Sequence, residues 1–227
     1  MPEIIFKGPA GRLEGRYKHS PLPNAPVGIV LHPDPERGGN MNGKITYHLF
    51  QAFVQRGFST FRFNFRGVGG SQGEFDKGEG ELSDAAAALD YIQDLNKNAP
   101  YVWVAGFGFG AWIGMQLLMR RPEIAGWISI APPANLYDFT FLAPCPTSGL
   151  ILHGSEDRHV PADHVADLAK RLHEQKGIAV DYRTVDGANH FFRDHIDDMI
   201  AHVHDHMNRA ECAGRSVLAP AGLLKAA

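Results

Sequence analysis

Three short segments carry, in order, a glycine-rich turn, an acid and a histidine, and each follows a run of strand-forming residues. Gly106-Phe107-Gly108-Phe109-Gly110 joins Val102–Ala105 to a helical pattern over Ala111–Arg120. His153-Gly154-Ser155-Glu156-Asp157 follows Gly149–His153, and Asp186-Gly187-Ala188-Asn189-His190 follows Ile178–Val185. Open α/β sheets place ligands at the C-terminal ends of their strands, where all three segments would lie. A carboxylate and an imidazole brought together at such ends can hold and move a proton. The glycines permit a tight strand-to-helix turn.

These groups need a sheet to hold them. Val27–Leu31, Phe58–Phe65, Val102–Ala105, Trp127–Ala131 and Gly149–His153 are short and mostly β-branched or aromatic. Several are apolar on both faces, as strands inside a parallel sheet must be. Helical spacing runs over Ile45–Arg56, Ser83–Leu95, Ala111–Arg120, Ala162–Leu172 and Phe191–Met207. The Ser83-Asp84 start is a capping signal, and the alanines after it favour helix. Glu3–Phe6 and Leu13–Tyr17 flank the turn residues Gly8-Pro9-Ala10-Gly11 and predict an antiparallel hairpin at the sheet edge. Ile178–Val185 is the last strand. The alternation predicts right-handed βαβ units in a doubly wound α/β domain. With no repeat, linker or composition break, residues 1–212 read as one domain and 213–227 as a tail rich in Ala, Gly, Pro and Leu. Ala134–Leu142 is the only stretch that could serve as a lid, so a shallow, open cleft is expected.

The chain resembles the α/β-hydrolase superfamily, and within it the small, lidless, dienelactone-hydrolase-like proteins of bacteria. The resemblance spans nearly the whole domain. It is carried by His32-Pro33-Asp34-Pro35, Arg62-Phe63-Asn64-Phe65-Arg66-Gly67, Gly73-Glu74-Phe75-Asp76, Gly106–Trp112, the Asp157 loop and Gly187-Ala188-Asn189-His190. It implies an α/β-hydrolase fold: a mostly parallel eight-stranded sheet, an N-terminal antiparallel hairpin and helices on both faces. It implies Asp157 as catalytic acid and His190 as base. Gly108 then occupies the nucleophile position of a G-x-S-x-G elbow, and the Asp34 and Phe109 N–H groups form the oxyanion hole. The ligand implied is a small ester-like or acyl molecule.

Two departures from that pattern matter. Gly108 offers no attacking atom. Glycine reaches φ > 0 without the roughly 1–3 kcal/mol a side chain would cost there. Loss of the nucleophile in subtilisin lowers turnover about 10⁶-fold. The second departure is Asp34, where related proteins tend to carry His-Pro-His-Pro. Its carboxylate either repels a developing oxyanion or turns away and caps the loop. Substitutes for the nucleophile are few. Cys145 precedes its strand, at the far end of the sheet; Ser155 sits beside Asp157; Ser71 lies in a Gly-rich loop.

Other readings compete. Gly106–Ala111 also fits the dinucleotide fingerprint G-x-G-x-x-A, but the next strand, Trp127–Ala131, has no ribose-binding acid before Asp138. His202 and His206 have metal-ligand spacing, yet with His195 and His204 they read as the solvated face of a terminal helix. The acidic run Glu74–Glu81 reads as a solvated loop, ordered by capping. His190 can be read as a capping or packing histidine, and Asp157 as a turn former.

Composition bounds the function. Among 227 residues, 44% are hydrophobic and 21% charged, the balance of a globule. A net charge of −3 argues against nucleic acid or a polybasic membrane patch. The two cysteines, Cys145 and Cys212, are too few for a disulfide framework and suit a reducing, cytoplasmic setting. The N-terminal segment lacks a signal-peptide pattern, and no apolar run reaches membrane-spanning length. Oligomeric state is left open, a homodimer included, and no cofactor is called for. The expected protein is a weakly active or inactive esterase- or thioesterase-like homologue with a retained pocket. The alternatives are a His190–Asp157 dyad that activates water or substrate directly, and a nucleotide-binding protein.

Overall fold

The apolar runs are buried on both sides in the computed structural model, which describes residues 3–212, with side chains through residue 210. Strands β1 (Glu3–Gly8) and β2 (Gly11–Lys18) form the antiparallel hairpin, and β2 pairs antiparallel with β4 (Ser59–Phe63). Strands β3 (Val27–Leu31), β4, β5 (Val102–Phe107), β6 (Ile124–Ile130), β7 (Gly149–Gly154) and β8 (Val180–Val185) run parallel. The order is β1-β2-β4-β3-β5-β6-β7-β8, an eight-stranded, mostly parallel sheet. Every residue of β3, β4, β5 and β7 is buried, which explains why their sequences do not alternate.

Helices α2 (Glu79–Leu95), α3 (Phe109–Leu118) and α4 (Ala162–His173) cover one face, over a core that includes Phe61, Phe63, Ile113 and Trp127. Helices α1 (Lys44–Gln55) and α5 (Ile196–Cys212) cover the other, over Phe50, Phe53, Trp103 and Phe192. The chain steps from β3 to β4 on one side and later returns to β5 on the other. Loops leaving β3 and β5 therefore diverge and open a crevice at their C-terminal ends.

Several boundaries differ from the sequence expectation. Helix α2 begins at Glu79, not Ser83. The fully buried Glu81 carboxylate accepts the Asp76 N–H at 2.9 Å and the Gly78 N–H at 2.7 Å, and so caps the helix from inside. The acidic run is thus anchored rather than simply solvated. Helix α3 begins at Phe109, directly after Gly108. Helix α5 begins at Ile196, not Phe191. Asn189 Oδ1 accepts the Phe191 N–H, and Phe192 takes φ 49° to bury its ring in the core. His190 accordingly stands in a loop and not at a helix start.

The α5 histidines are not one solvated face. His206 is buried, with Nδ1 3.1 Å from Asp181, because the helix lies against β8. Arg183 bridges Asp181 and Asp205 beside it. His204 is half-buried, and desolvation lowers its pKa. Among the described residues, no group of three or more His, Cys, Asp or Glu side chains gathers as a metal would require. Nor is any described helix long and apolar enough to cross a membrane. The tail 213–227 lies outside the described residues.

Candidate active site

β5 ends at Phe107 and α3 starts at Phe109, leaving Gly108 as a one-residue hinge with φ 55° and ψ −122°. Only glycine adopts that conformation without strain. The Gly108 N–H donates to Ile130 O, and its own carbonyl accepts from Ala111, so the turn is locked at both ends. Gly106 and Gly110 are needed for a different reason. A Cβ on Gly106 would collide with the Gly110 carbonyl, and one on Gly110 with the carbonyl oxygens of Leu31 and His32. At Gly108 the nearest neighbour of a Cβ would be Pro33 Cβ at 3.7 Å, an ordinary contact. Space for a side chain remains; only the backbone would object.

Asp157 is buried, and both of its carboxylate oxygens are engaged. Oδ1 accepts the His159 and Val160 N–H groups at 2.8 and 2.9 Å, and Oδ2 lies 2.7 Å from His190 Nδ1. Burial alone would raise its pKa. The His190 bond and the two backbone bonds outweigh that and hold the carboxyl below its ordinary value. Asp157 is therefore ionised at neutral pH, and His190 donates from Nδ1, which leaves Nε2 free to take a proton. The His190 ring packs between Phe107 and His159, with centroids 5.0 and 4.9 Å away. Ser155 ties the two loops together: its Oγ donates to Asp186 Oδ1 and accepts the Gly187 N–H.

The suggested substitute nucleophiles are engaged elsewhere. Ser71 Oγ donates to Asn64 O and accepts the Glu14 N–H. Cys145 is buried, burial pushes its thiol pKa up, and Sγ reaches Thr147 O. Neither these two nor Ser155 lines the cleft.

Asp34 turns its carboxylate into the loop. Oδ1 accepts the Glu36 N–H at 2.9 Å, capping the short 3₁₀ turn Pro35–Arg37, and Arg37 Nε stands 3.4 Å from Oδ2. Among the described residues, the Asp34 and Phe109 N–H groups have no protein acceptor. The loop is braced by His32, which is fully buried. Its Nδ1 donates to Pro33 O at 2.7 Å, and its Nε2 accepts the Phe65 N–H at 3.0 Å. A protonated ring could not accept that bond. Desolvation lowers its pKa from 6.5 to about 4, against the smaller opposing effect of the Pro33 bond.

That brace predicts a pH dependence. The unfolded chain takes up a proton at His32 near pH 6.5, but the folded chain does so only near pH 4. The stability contributed by the neutral ring is complete above pH 6.5 and declines as pH falls towards 4, by about 3 kcal/mol in all. Urea unfolding of the parent and of His32→Gln at pH 7 and pH 5 checks this. The variant should be less stable at pH 7 and lose part of the pH slope. Equal slopes would count against the brace.

A cleft of about 580 Å³ brings Asp34, Gly108, Phe109 and His190 together; Asp157 lies behind His190. Pro133, Leu136 and Tyr137 form one wall. The Ala134–Leu142 stretch is pinned to α3, since Trp112 stacks on Tyr137 at 4.2 Å and donates to Asp138 O. Sequence reasoning missed three features: His159 against His190, Lys44 and Thr46 at the start of α1, and a second imidazole near the acid. That imidazole, His153, donates from Nε2 to Val160 O and holds Nδ1 3.8 Å from Asp157 Oδ2. Burial keeps it neutral. His159 and the start of α1 meet the site through contacts from distant segments, whereas His153 stands only four residues before Asp157 and is set apart by its burial.

Comparison with known proteins points the same way. The serine aminopeptidase S33 family matches residues 37–145, and the prolyl oligopeptidase family matches residues 125–210. The uncharacterized protein RP471 of Rickettsia prowazekii is 51% identical, over 91% of this chain and 89% of its own. A solved structure from Agrobacterium tumefaciens, ATU1826, is of a protein of unknown function proposed to be an α/β hydrolase. It is 57% identical, covers 93% of this chain and 97% of its own, and superposes with a TM-score of 0.91. An α/β serine hydrolase homologue from Coxiella burnetii is 32% identical, with 90% and 96% covered and a TM-score of 0.78.

Proposed function

Because the chain belongs to the α/β-hydrolase superfamily, we propose that its cleft binds a small ester- or acyl-bearing molecule without forming an acyl-enzyme. The observation that carries this reading is the hinge at Gly108. Its backbone has the left-handed turn of an elbow, its α-carbon faces ordinary space, and no hydroxyl or thiol stands there. The His190–Asp157 pair and the two unengaged amides, Asp34 and Phe109, are what would orient and polarise a bound carbonyl. Binding needs all of these except the nucleophile; covalent catalysis needs the nucleophile as well. The role is cytoplasmic and cofactor-free in this reading, which rests on composition.

A second reading follows from the free Nε2 of His190 and the room above Gly108. A water held there could be activated by His190 directly, with Asp157 stabilising the imidazolium. Hydrolysis by that route leaves no covalent adduct.

The test is direct. A fluorophosphonate probe should leave the native protein unlabelled, and p-nitrophenyl acetate should turn over far more slowly than with serine esterases. Specific labelling at any side chain in the cleft would refute the proposal. Slow turnover abolished by His190→Ala, without labelling, would select the water-activating reading.

A further inference from the structure

The floor of the cleft includes the first turn of α1. Gly43, the N-cap residue, and Lys44, Ile45 and Thr46, the first three helical residues, all line it. Gly43 supplies no side-chain cap. The first backbone bond of the turn runs from Tyr47 N–H to Gly43 O, so the N–H groups of Lys44, Ile45 and Thr46 come before the helical ladder begins. This helix has 12 residues, enough to present a developed positive end.

A second observation comes from Thr46. The residue is 1% exposed, yet its Oγ1 has no hydrogen-bond partner among the described residues. The hydroxyl sits beside the cap residue, 3.9 Å from where a Gly43 Cβ would be. A buried hydroxyl left unpaired costs free energy, so it is normally satisfied by the protein or by what the protein binds. Here the described residues offer it nothing, and Thr46 lines the cleft.

Charge agrees. Lys44, Arg37 and Arg193 line the cleft against one carboxylate, Asp34, in a chain whose net charge is −3. That carboxylate is already taken up by Arg37 and the Glu36 N–H. Lys44 Nζ rests on Arg193 O at 3.0 Å, a carbonyl contact that leaves its charge unneutralised.

We propose that the cleft takes esters or acyl compounds bearing an anionic group, carboxylate or phosphate, seated at the N-terminus of α1. The amides of the first turn and the Thr46 hydroxyl bind its oxygens, and Lys44 supplies the countercharge. This inference rests on the ester-binding reading above and names the substrate class for the same cleft.

The test is binding, which the slow turnover expected of these esters makes simple. Monoethyl succinate and its neutral diethyl ester are titrated calorimetrically into the native chain, with 2-acetoxyethyl phosphate as the phosphate arm. An anionic ester should bind about tenfold tighter than the neutral one, an advantage that shrinks with added salt. The two anionic arms distinguish carboxylate from phosphate. Thr46→Val is nearly isosteric and removes the unpaired hydroxyl. It should cut the anionic preference roughly fivefold without lowering the melting temperature. Lys44→Gln should cut it independently.

Equal binding of charged and neutral esters would overturn the anionic subsite and leave the ester-binding reading intact. Binding of none of the three would overturn both. An unchanged preference in folded Thr46→Val would remove the hydroxyl from the site and refute the assignment.

Discussion

Gly108→Ser is expected to raise p-nitrophenyl acetate hydrolysis over that of the native chain by on the order of 10³-fold or more. Every other requirement can be traced to this structure. The elbow turn already has φ 55° and ψ −122°, and the site of the new Cβ meets only Pro33 Cβ at 3.7 Å. His190 is held by Asp157 at 2.7 Å with Nε2 free, and it lines the same cleft as Gly108. The serine would pay for its attack with backbone strain of about 1–3 kcal/mol, so the variant should also be less stable by that amount. Gain and loss together form the signature: more activity, lower melting temperature, and labelling by a fluorophosphonate at residue 108. Adding His190→Ala should abolish the gain. A folded, stable Gly108→Ser that stays silent would mean that the dyad does not reach the hinge.

Asp84→Ala is expected to be the most damaging single change away from the cleft, costing about 3–5 kcal/mol. Asp84 is wholly buried and accepts three bonds from one residue: Arg66 N–H at 3.0 Å, Nε at 3.0 Å and Nη2 at 2.8 Å. Removing it strands a guanidinium that is almost as buried. Asp76, 3.8 Å away and solvent-facing, is a poor replacement. The guanidinium also packs on Gly80 so closely that no Cβ would fit there, which limits its freedom to move. The damage should spread towards the cleft. Arg66 follows Phe65, whose N–H is the bond that His32 accepts. Thermal unfolding should fall by roughly 10 °C for Asp84→Ala, and by clearly less for Asp84→Asn, which keeps an acceptor. A loss under about 1 kcal/mol would mean that Arg66 finds other company.

Much of the architecture was legible before any coordinates. The parallel strands announce themselves because burial on both faces demands continuous apolar runs, and such runs stand out in a sequence. The N-terminal hairpin was visible in its glycine and proline turn. The order Gly108, Asp157, His190 was legible too, since each follows a strand and strand ends converge in this topology. Element boundaries were less readable. Ser83 resembles a cap, but Glu81, two residues earlier, reaches back to the Asp76 and Gly78 amides and starts the helix sooner. Phe191 resembles the start of a helix, but burying Phe192 turns the chain first.

What the sequence determined by itself was chemical identity: a glycine at the hinge, an aspartate and a histidine after successive strands, and the flanking glycines that such a hinge needs. Those are local properties, written in residue type and spacing. The tertiary structure alone decided neighbourhood. It set His32 against Phe65, and the first turn of α1, with its unpaired Thr46 hydroxyl, on the floor of the cleft. These pairings span chain separations that no periodicity encodes. They exist because β3 sits between β4 and β5, and that order is a property of the whole sheet.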